Sequence, residues 1–301
     1  MLLRVWNLCG GDSDPPSRRN YAREMVELVT TGAPGFVCLQ EVPAAALESL
    51  GDWAGMQAVA VRTRRGRLGR GAMGHAILVP KDATVRQTKQ ITLNTNPFCE
   101  SEGARLGLTE KQARAWEKPR RVCHFVKVEL HNRRRLLLAN LHATVSADPR
   151  LADAELRRAV NFVDRASEYD ELVVFAGVFG VAREHSHTLQ TLTTREFDPY
   201  LETGPASVRV LIRGGRPDEI RVWTEDERRR DGKLLSAEPP VELQLLAKVR
   251  RTAKREEPAA PVPAPPPSEP QPQVAAAKED DRWETPDGDR WETGNERWET
   301  E

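Results

Sequence analysis

The sequence is poor in the features that mark secreted or membrane-embedded chains. Its four cysteines, Cys9, Cys38, Cys99 and Cys123, form no CxxC pair, so no disulfide framework is written in their spacing. No secretory hydrophobic region opens the chain and no apolar run reaches membrane length. A cytoplasmic protein with reduced thiols is expected. Cys9 and Cys38 sit in or beside apolar runs, where cysteine behaves as a small buried hydrophobe. Net charge is absent too, since 45 Lys/Arg balance 45 Asp/Glu.

That balance hides an asymmetry. Residues 256–301 hold 13 Asp/Glu and 4 Lys/Arg, a net of −9, which leaves residues 1–255 at +9. A basic body attracts polyanions such as nucleic acid, and a tethered acidic tail competes for the same surface or simply aids solubility. The composition divides the chain into a body over 1–255, a Pro-rich disordered linker over 256–281 and an acidic repeat tail over 282–301. Eight prolines within 258–272 rule out packed helix or sheet there. In the tail, Arg-Trp-Glu-Thr occurs three times, around Trp283, Trp291 and Trp298. Exposed indoles are interface anchors, so the repeats read as multivalent docking sites for a protein partner.

Periodicity places strands and helices along the body. Leu2–Asn7 alternates and then breaks at Gly10-Gly11, which predicts a strand ending in Asn7. A helix is expected from Ser13 or Asp14 onward, with Tyr21, Met25, Val26 and Val29 on its apolar face. A short strand over 36–39 follows, closing at Gln40-Glu41 before Pro43. Residues 73–79 and 83–92 read as a strand pair, as do 121–130 and 135–141. Thr109 is placed to cap a helix through Trp116. Helical spacing covers 151–167, an apolar strand over 172–176 ends in Gly177-Val178-Phe179-Gly180, and strands recur at 207–213, 219–223 and 241–247. The whole is an α/β body whose strands deliver loops to one edge.

In order along the chain come Trp6-Asn7, Leu39-Gln40-Glu41, Gly74-His75-Ala76-Ile77-Leu78, Asn140-Leu141-His142 and Ala176-Gly177-Val178-Phe179-Gly180. This series resembles the endonuclease/exonuclease/phosphatase superfamily over roughly residues 2–247. The resemblance implies a four-layer α/β sandwich of two mixed β-sheets flanked by helices, followed by a disordered C-terminal tail. It also implies phosphoester hydrolysis with a divalent metal, usually Mg2+, in which Glu41 matches the metal carboxylate, Asn7 the polar contact beside it, and His142 the histidine on the scissile phosphate. Taken singly, each also fits a structural role: Glu41 at a helix start, Asn7 in a turn, His142 as a core histidine.

The second half of that pattern is missing. Val178 stands where the family has a catalytic aspartate and Gly180 where it has an asparagine. Val208 aligns with a further aspartate, and Ser236-Ala237-Glu238 replaces Ser-Asp-His, so Ala237 and Glu238 occupy the places of the supporting aspartate and catalytic histidine. Loss of acid–base help alone costs about a hundred to ten thousandfold. The expectation is a catalytically impaired relative that binds an anionic ligand, nucleic acid or another phosphoester, or a protein partner. The alternative is an active Mg-dependent phosphodiesterase or nuclease with a rearranged site using Glu41, His142 and Glu238. Glu184-His185-Ser186-His187 offers two further histidines but no third ligand. Arg62, Arg64, Arg65, Arg67 and Arg70, in a glycine-containing run, suit a loop that contacts phosphates.

Overall fold

Leu2–Asn7 alternates, yet both of its faces are buried. Leu3 and Val5 belong to one apolar core while Trp6 belongs to another. A strand covered on both sides lies inside a layered structure. The computed structural model describes residues 1–14, 19–64, 71–118, 120–130, 133–192, 197–200 and 208–247. The Pro-rich segment and the tail tryptophans lie outside these residues.

The elements follow in chain order. They begin with β1 (Leu2–Asn7), β2 (Ser13–Asp14), α1 (Ala22–Thr30), β3 (Phe36–Pro43), α2 (Leu50–Ala54), β4 (Gln57–Arg64), β5 (Met73–Val79) and β6 (Thr84–Thr92). The middle of the chain forms α3 (Asn96–Arg105), α4 (Glu110–Glu117), β7 (Val122–Glu129), β8 (Arg135–His142), α5 (Pro149–Ala166), β9 (Leu172–Val178) and α6 (His187–Thr191). The last elements are β10 (Asp198–Tyr200), β11 (Val208–Arg213), β12 (Gly215–Val222), β13 (Arg229–Arg230), β14 (Lys233–Leu235) and β15 (Val241–Ala247). One six-stranded sheet runs β12-β15-β1-β3-β5-β4, the other β10-β11-β9-β8-β7-β6, and β13-β14-β2 form a small third sheet. Each large sheet is mixed: β1 and β3 are parallel in the first and β8 and β9 in the second, while the other pairs are antiparallel.

The inner faces supply the central core, with Val5, Cys38 and Ile77 from the first sheet and Val126, Leu138 and Val174 from the second. Outside the first sheet, Met25, Val26 and Val29 of α1 cover Trp6 and Leu39. Outside the second, Leu156, Val160 and Val163 of α5 cover Phe125 and Phe175. The result is the expected four layers. Arg4 is buried with its charge matched, contacting Glu242 at 2.6 Å and donating to the Val29 carbonyl. Cys38, Cys99 and Cys123 are buried free thiols, and burial pushes the Cys99 thiol up to about 12. No helix among the described residues is long and apolar enough to cross a membrane.

Four local expectations need correction. Residues 73–79 and 83–92 do not pair: β5 lies between β3 and β4, and β6 is the far edge of the other sheet beside β7. The partner of β5 is the strand over 57–64, which sequence reading had not placed. Its Arg62 and Arg64 are therefore strand residues, while Arg65, Arg67 and Arg70 fall outside the described residues. The first helix starts at Ala22, and Ser13–Asp14 instead pair with β14. Finally, β3 does not stop at Glu41 but runs to Pro43 through a register shift between Leu39 and Val42.

Candidate functional site

The ends of β1, β3, β5, β8 and β9 and the loop before β15 meet at one end of the sandwich. Three non-glycine residues adopt left-handed backbone there: Cys9 at φ 47°, Glu41 at φ 49° and Ser236 at φ 59°. Such conformations cost about 1–3 kcal/mol each and persist where surrounding contacts enforce them. Those contacts are visible. The Ser236 hydroxyl donates to the Asn7 carbonyl at 2.9 Å, the Glu238 N–H donates to the Ser236 hydroxyl, and the Trp6 indole donates to the Glu238 carbonyl at 2.8 Å. Glu41 owes its conformation to the bulge in β3, which turns a carboxylate out of an otherwise buried strand.

Glu41 and His142 come together. His142 Nδ1 lies 3.6 Å from Glu41 Oε1, too far for a hydrogen bond. Burial, reinforced by the nearby Arg121 cation, pulls the His142 imidazole down to about 3, so the ring is neutral at physiological pH and the contact is not an ion pair. Asn7 is beside them, in register with Gln40. Its Oδ1 accepts from the Cys9 N–H at 3.1 Å, a local turn that occupies this oxygen.

The positions where the resemblance breaks down form the adjoining row. His142, Val178 and Val208 are in register across β8, β9 and β11. Val178 and Val208 are buried in the central core, so apolar packing continues to the mouth where polar groups were expected. Gly180 has φ 70°, and a Cβ there would lie 2.2 Å from the Thr144 carbonyl oxygen. An asparagine cannot be accommodated on this backbone. Ala237 is exposed and Glu238 half-buried; both Glu41 and Glu238 are near enough to Cys9 to raise its thiol, although burial is the larger cause.

Several polar residues at this end had no assigned role. Gln40 Nε2 donates to Asn140 Oδ1 at 2.7 Å across the gap between the sheets, and Asn140 Nδ2 reaches the Leu39 and Ala76 carbonyls. His75 lies between His124 and His142, with ring centroids 6.4 and 6.0 Å away. All three rings are buried, and Nδ1 of each has no hydrogen-bond partner. Beneath Thr144, buried Glu155 accepts from the Thr144 N–H at 2.6 Å, the Thr144 hydroxyl and the Trp116 indole. His75 and Asn140 stood within the motifs read from sequence. His124, Glu155 and Arg121 owe their surroundings to partners on other elements: His75 beside His124, Thr144 and Trp116 on Glu155, and Asn94 on the Arg121 N–H.

This donor set does not fit a resident metal ion held by the protein. Glu41 offers one hard carboxylate, the Asn7 oxygen accepts from the Cys9 N–H, and His142 offers an imidazole nitrogen where Mg2+ prefers oxygen. Among the described residues, no three or more His, Cys, Asp or Glu side chains are arranged to hold a metal. His185 and His187 flank buried Ser186, which bonds to Asp153, and His185 is exposed beside Glu184. Arg62 is exposed and lies 3.4 Å from Glu48. Chemically, the mouth can present a neutral imidazole and a carboxylate.

No protein-family model and no curated protein matches the sequence. Solved structures match the fold. An endonuclease/exonuclease/phosphatase from Beutenbergia cavernae is 14% identical over 82% of this chain and 71% of its own, with a TM-score of 0.62. TDP2 from D. rerio, complexed with single strand DNA product, is 14% identical over 82% and 99%, with a TM-score of 0.59. The mannosyl-6-phosphatase Bt3783 of Bacteroides thetaiotaomicron is 11% identical over 82% and 99%, with a TM-score of 0.57. The chain thus has the endonuclease/exonuclease/phosphatase fold.

Proposed function

We propose that this protein is a non-catalytic binding module on a phosphoesterase fold. It engages a phosphate-bearing ligand, with single-stranded nucleic acid the favoured class, at the mouth formed by Glu41 and His142. The observation that carries this reading is the row His142, Val178, Val208, with two buried valines where hydrolysis needs polar groups. Neither Val178 nor Val208 can orient water or take its proton, as an aspartate there would. Binding remains available to such a site. The +9 body supplies long-range attraction for a polyanion, and a D. rerio protein of this fold was solved with single strand DNA product. The Arg-Trp-Glu-Thr repeats around Trp283, Trp291 and Trp298 then recruit a protein partner.

The test pairs hydrolysis with binding. Plasmid DNA and a bis-aryl phosphodiester are incubated with the full chain and magnesium or manganese, beside Glu41→Ala and His142→Ala. No turnover above those variants is expected. Fluorescence anisotropy with a 5′-phosphorylated single-stranded oligonucleotide in chelator should show binding that His142→Ala weakens. Glu41→Ala should tighten it, because a carboxylate beside a bound phosphate repels it when no metal intervenes. Turnover abolished by both substitutions would instead identify a hydrolase with a rearranged site that uses Glu41 and His142.

A further inference from the structure

Among the described residues each large sheet ends in two edge strands, and an edge presents unpaired N–H and C=O groups that can recruit another strand. Three of the four edges are guarded. β12 carries Pro217 with a register shift beside it and the charges Asp218 and Glu219. β6 carries Arg86 and Lys89 and a register shift between Val85 and Gln87. β10 has three residues. The fourth edge, β4, is eight residues long, and its stretch Gln57-Ala58-Val59-Ala60-Val61 contains neither charge nor proline. Its register shift falls at Arg62/Arg64, beyond that stretch. Ala58 and Ala60 are exposed, and Val59 and Val61 are half-buried.

We propose that β4 is the pairing strand of a symmetric dimer, in which two copies of this chain align antiparallel about Ala60 and join two sheets into one. A second copy is the occupant because the strand complements itself. Any register with the two-fold axis on a residue keeps the half-buried valines on one face, and both valines meet residues of the uncharged stretch when that axis lies at Val59 or at Ala60. About Ala60, Val59 opposes Val61 in both halves and Arg62 opposes Ala58. About Val59, Val61 opposes Gln57 instead. The first register matches β-branched side chains across the seam, the favourable pairing on a sheet face. Neither register sets arginine against arginine, so the basic end of the strand does not oppose association. The inference does not depend on what the mouth binds.

Sedimentation velocity of the full chain between about 2 and 200 µM should show its mass doubling with concentration. Ala60→Glu and Ala60→Lys each place like charges directly opposite one another at the two-fold, and each should weaken association by about tenfold or more. Ala60 is exposed, so neither variant disturbs the core. An equimolar mixture of the two should dimerise again, because glutamate then faces lysine. A wild-type chain that stays monomeric throughout overturns the proposal. So does a dimer indifferent to both variants, or a mixture that fails to re-associate.

Discussion

At residue scale, Gly180 decides whether the missing chemistry can be restored. Its φ of 70° and the 2.2 Å approach of a built Cβ to the Thr144 carbonyl mean that Gly180→Asn, even combined with Val178→Asp, must displace backbone. The expected outcome is no gain in phosphodiester hydrolysis and a loss of about 1–3 kcal/mol of stability by urea titration. Gly180→Ala should cost a similar amount, because the Cβ is the offending atom. The buried histidines give a second prediction, read from the sign of their shifts. Burial holds His75 well below its usual value and draws His124 and His142 down to about 3. The unfolded chain therefore takes up protons below about pH 6.5 that the folded chain refuses. Their stabilisation is complete above that pH and is lost as pH falls from about 6.5 toward 3 for His124 and His142, at about 1.4 kcal/mol per pH unit for each of these two rings. Urea midpoints at pH 7.5 and 5 should fall accordingly, and His124→Gln should flatten the dependence. His75 and Asn140 could be picked out of short motifs, but nothing near His124 in sequence indicates that it is buried.

At the scale of elements, the helical pair α3 and α4 is tied to the site through one carboxylate. Thr109 caps α4, as the sequence foretold because capping is a local affair of a few residues, and Gln112 completes a capping box. The link from Trp116 to Glu155 to Thr144 spans α4, α5 and the loop after His142, and no spacing rule reveals it. Removing Glu155 leaves the Thr144 N–H and hydroxyl and the Trp116 indole without their acceptor. Glu155→Ala should cost about 2–4 kcal/mol by denaturant titration. Thr109→Ala should cost about 1 kcal/mol and act on the helix alone. Strand pairing shows the same division. The hairpin of β7 and β8 followed from neighbouring runs with a short turn, whereas β5 and β6, also neighbours in sequence, turn away into opposite sheets because β3 and β4 already flank β5.

For the whole molecule, charge is the property that composition fixes outright. Deleting residues 256–301 changes the formal net charge from 0 to +9. Oligonucleotide affinity at about 50 mM salt should rise severalfold, and the gain should vanish near 1 M, where screening shortens the Debye length to about 3 Å. Anisotropy titrations of the full and shortened chains across that range check this. A salt dependence equal in the two chains would show that the tail's charge has no influence on ligand approach.

Alternation, apolar runs and caps specified in sequence most of the strands and the helix faces, because each depends on which way a few consecutive side chains point, whereas the four-layer class was implied by the family resemblance of the ordered motifs. The order of motifs also fixed which residues were candidates: Asn7, Glu41 and His142 for what is kept, Val178, Gly180, Val208 and Ala237 for what is missing. Tertiary structure decided what those residues can do. It set Glu41 on a bulge 3.6 Å from His142, kept His142 neutral by burial, drew Val178 and Val208 into the core, and closed the space beside Gly180. Distance, desolvation and backbone clearance are relations between segments far apart in the chain, and only the packed sheets bring those segments together.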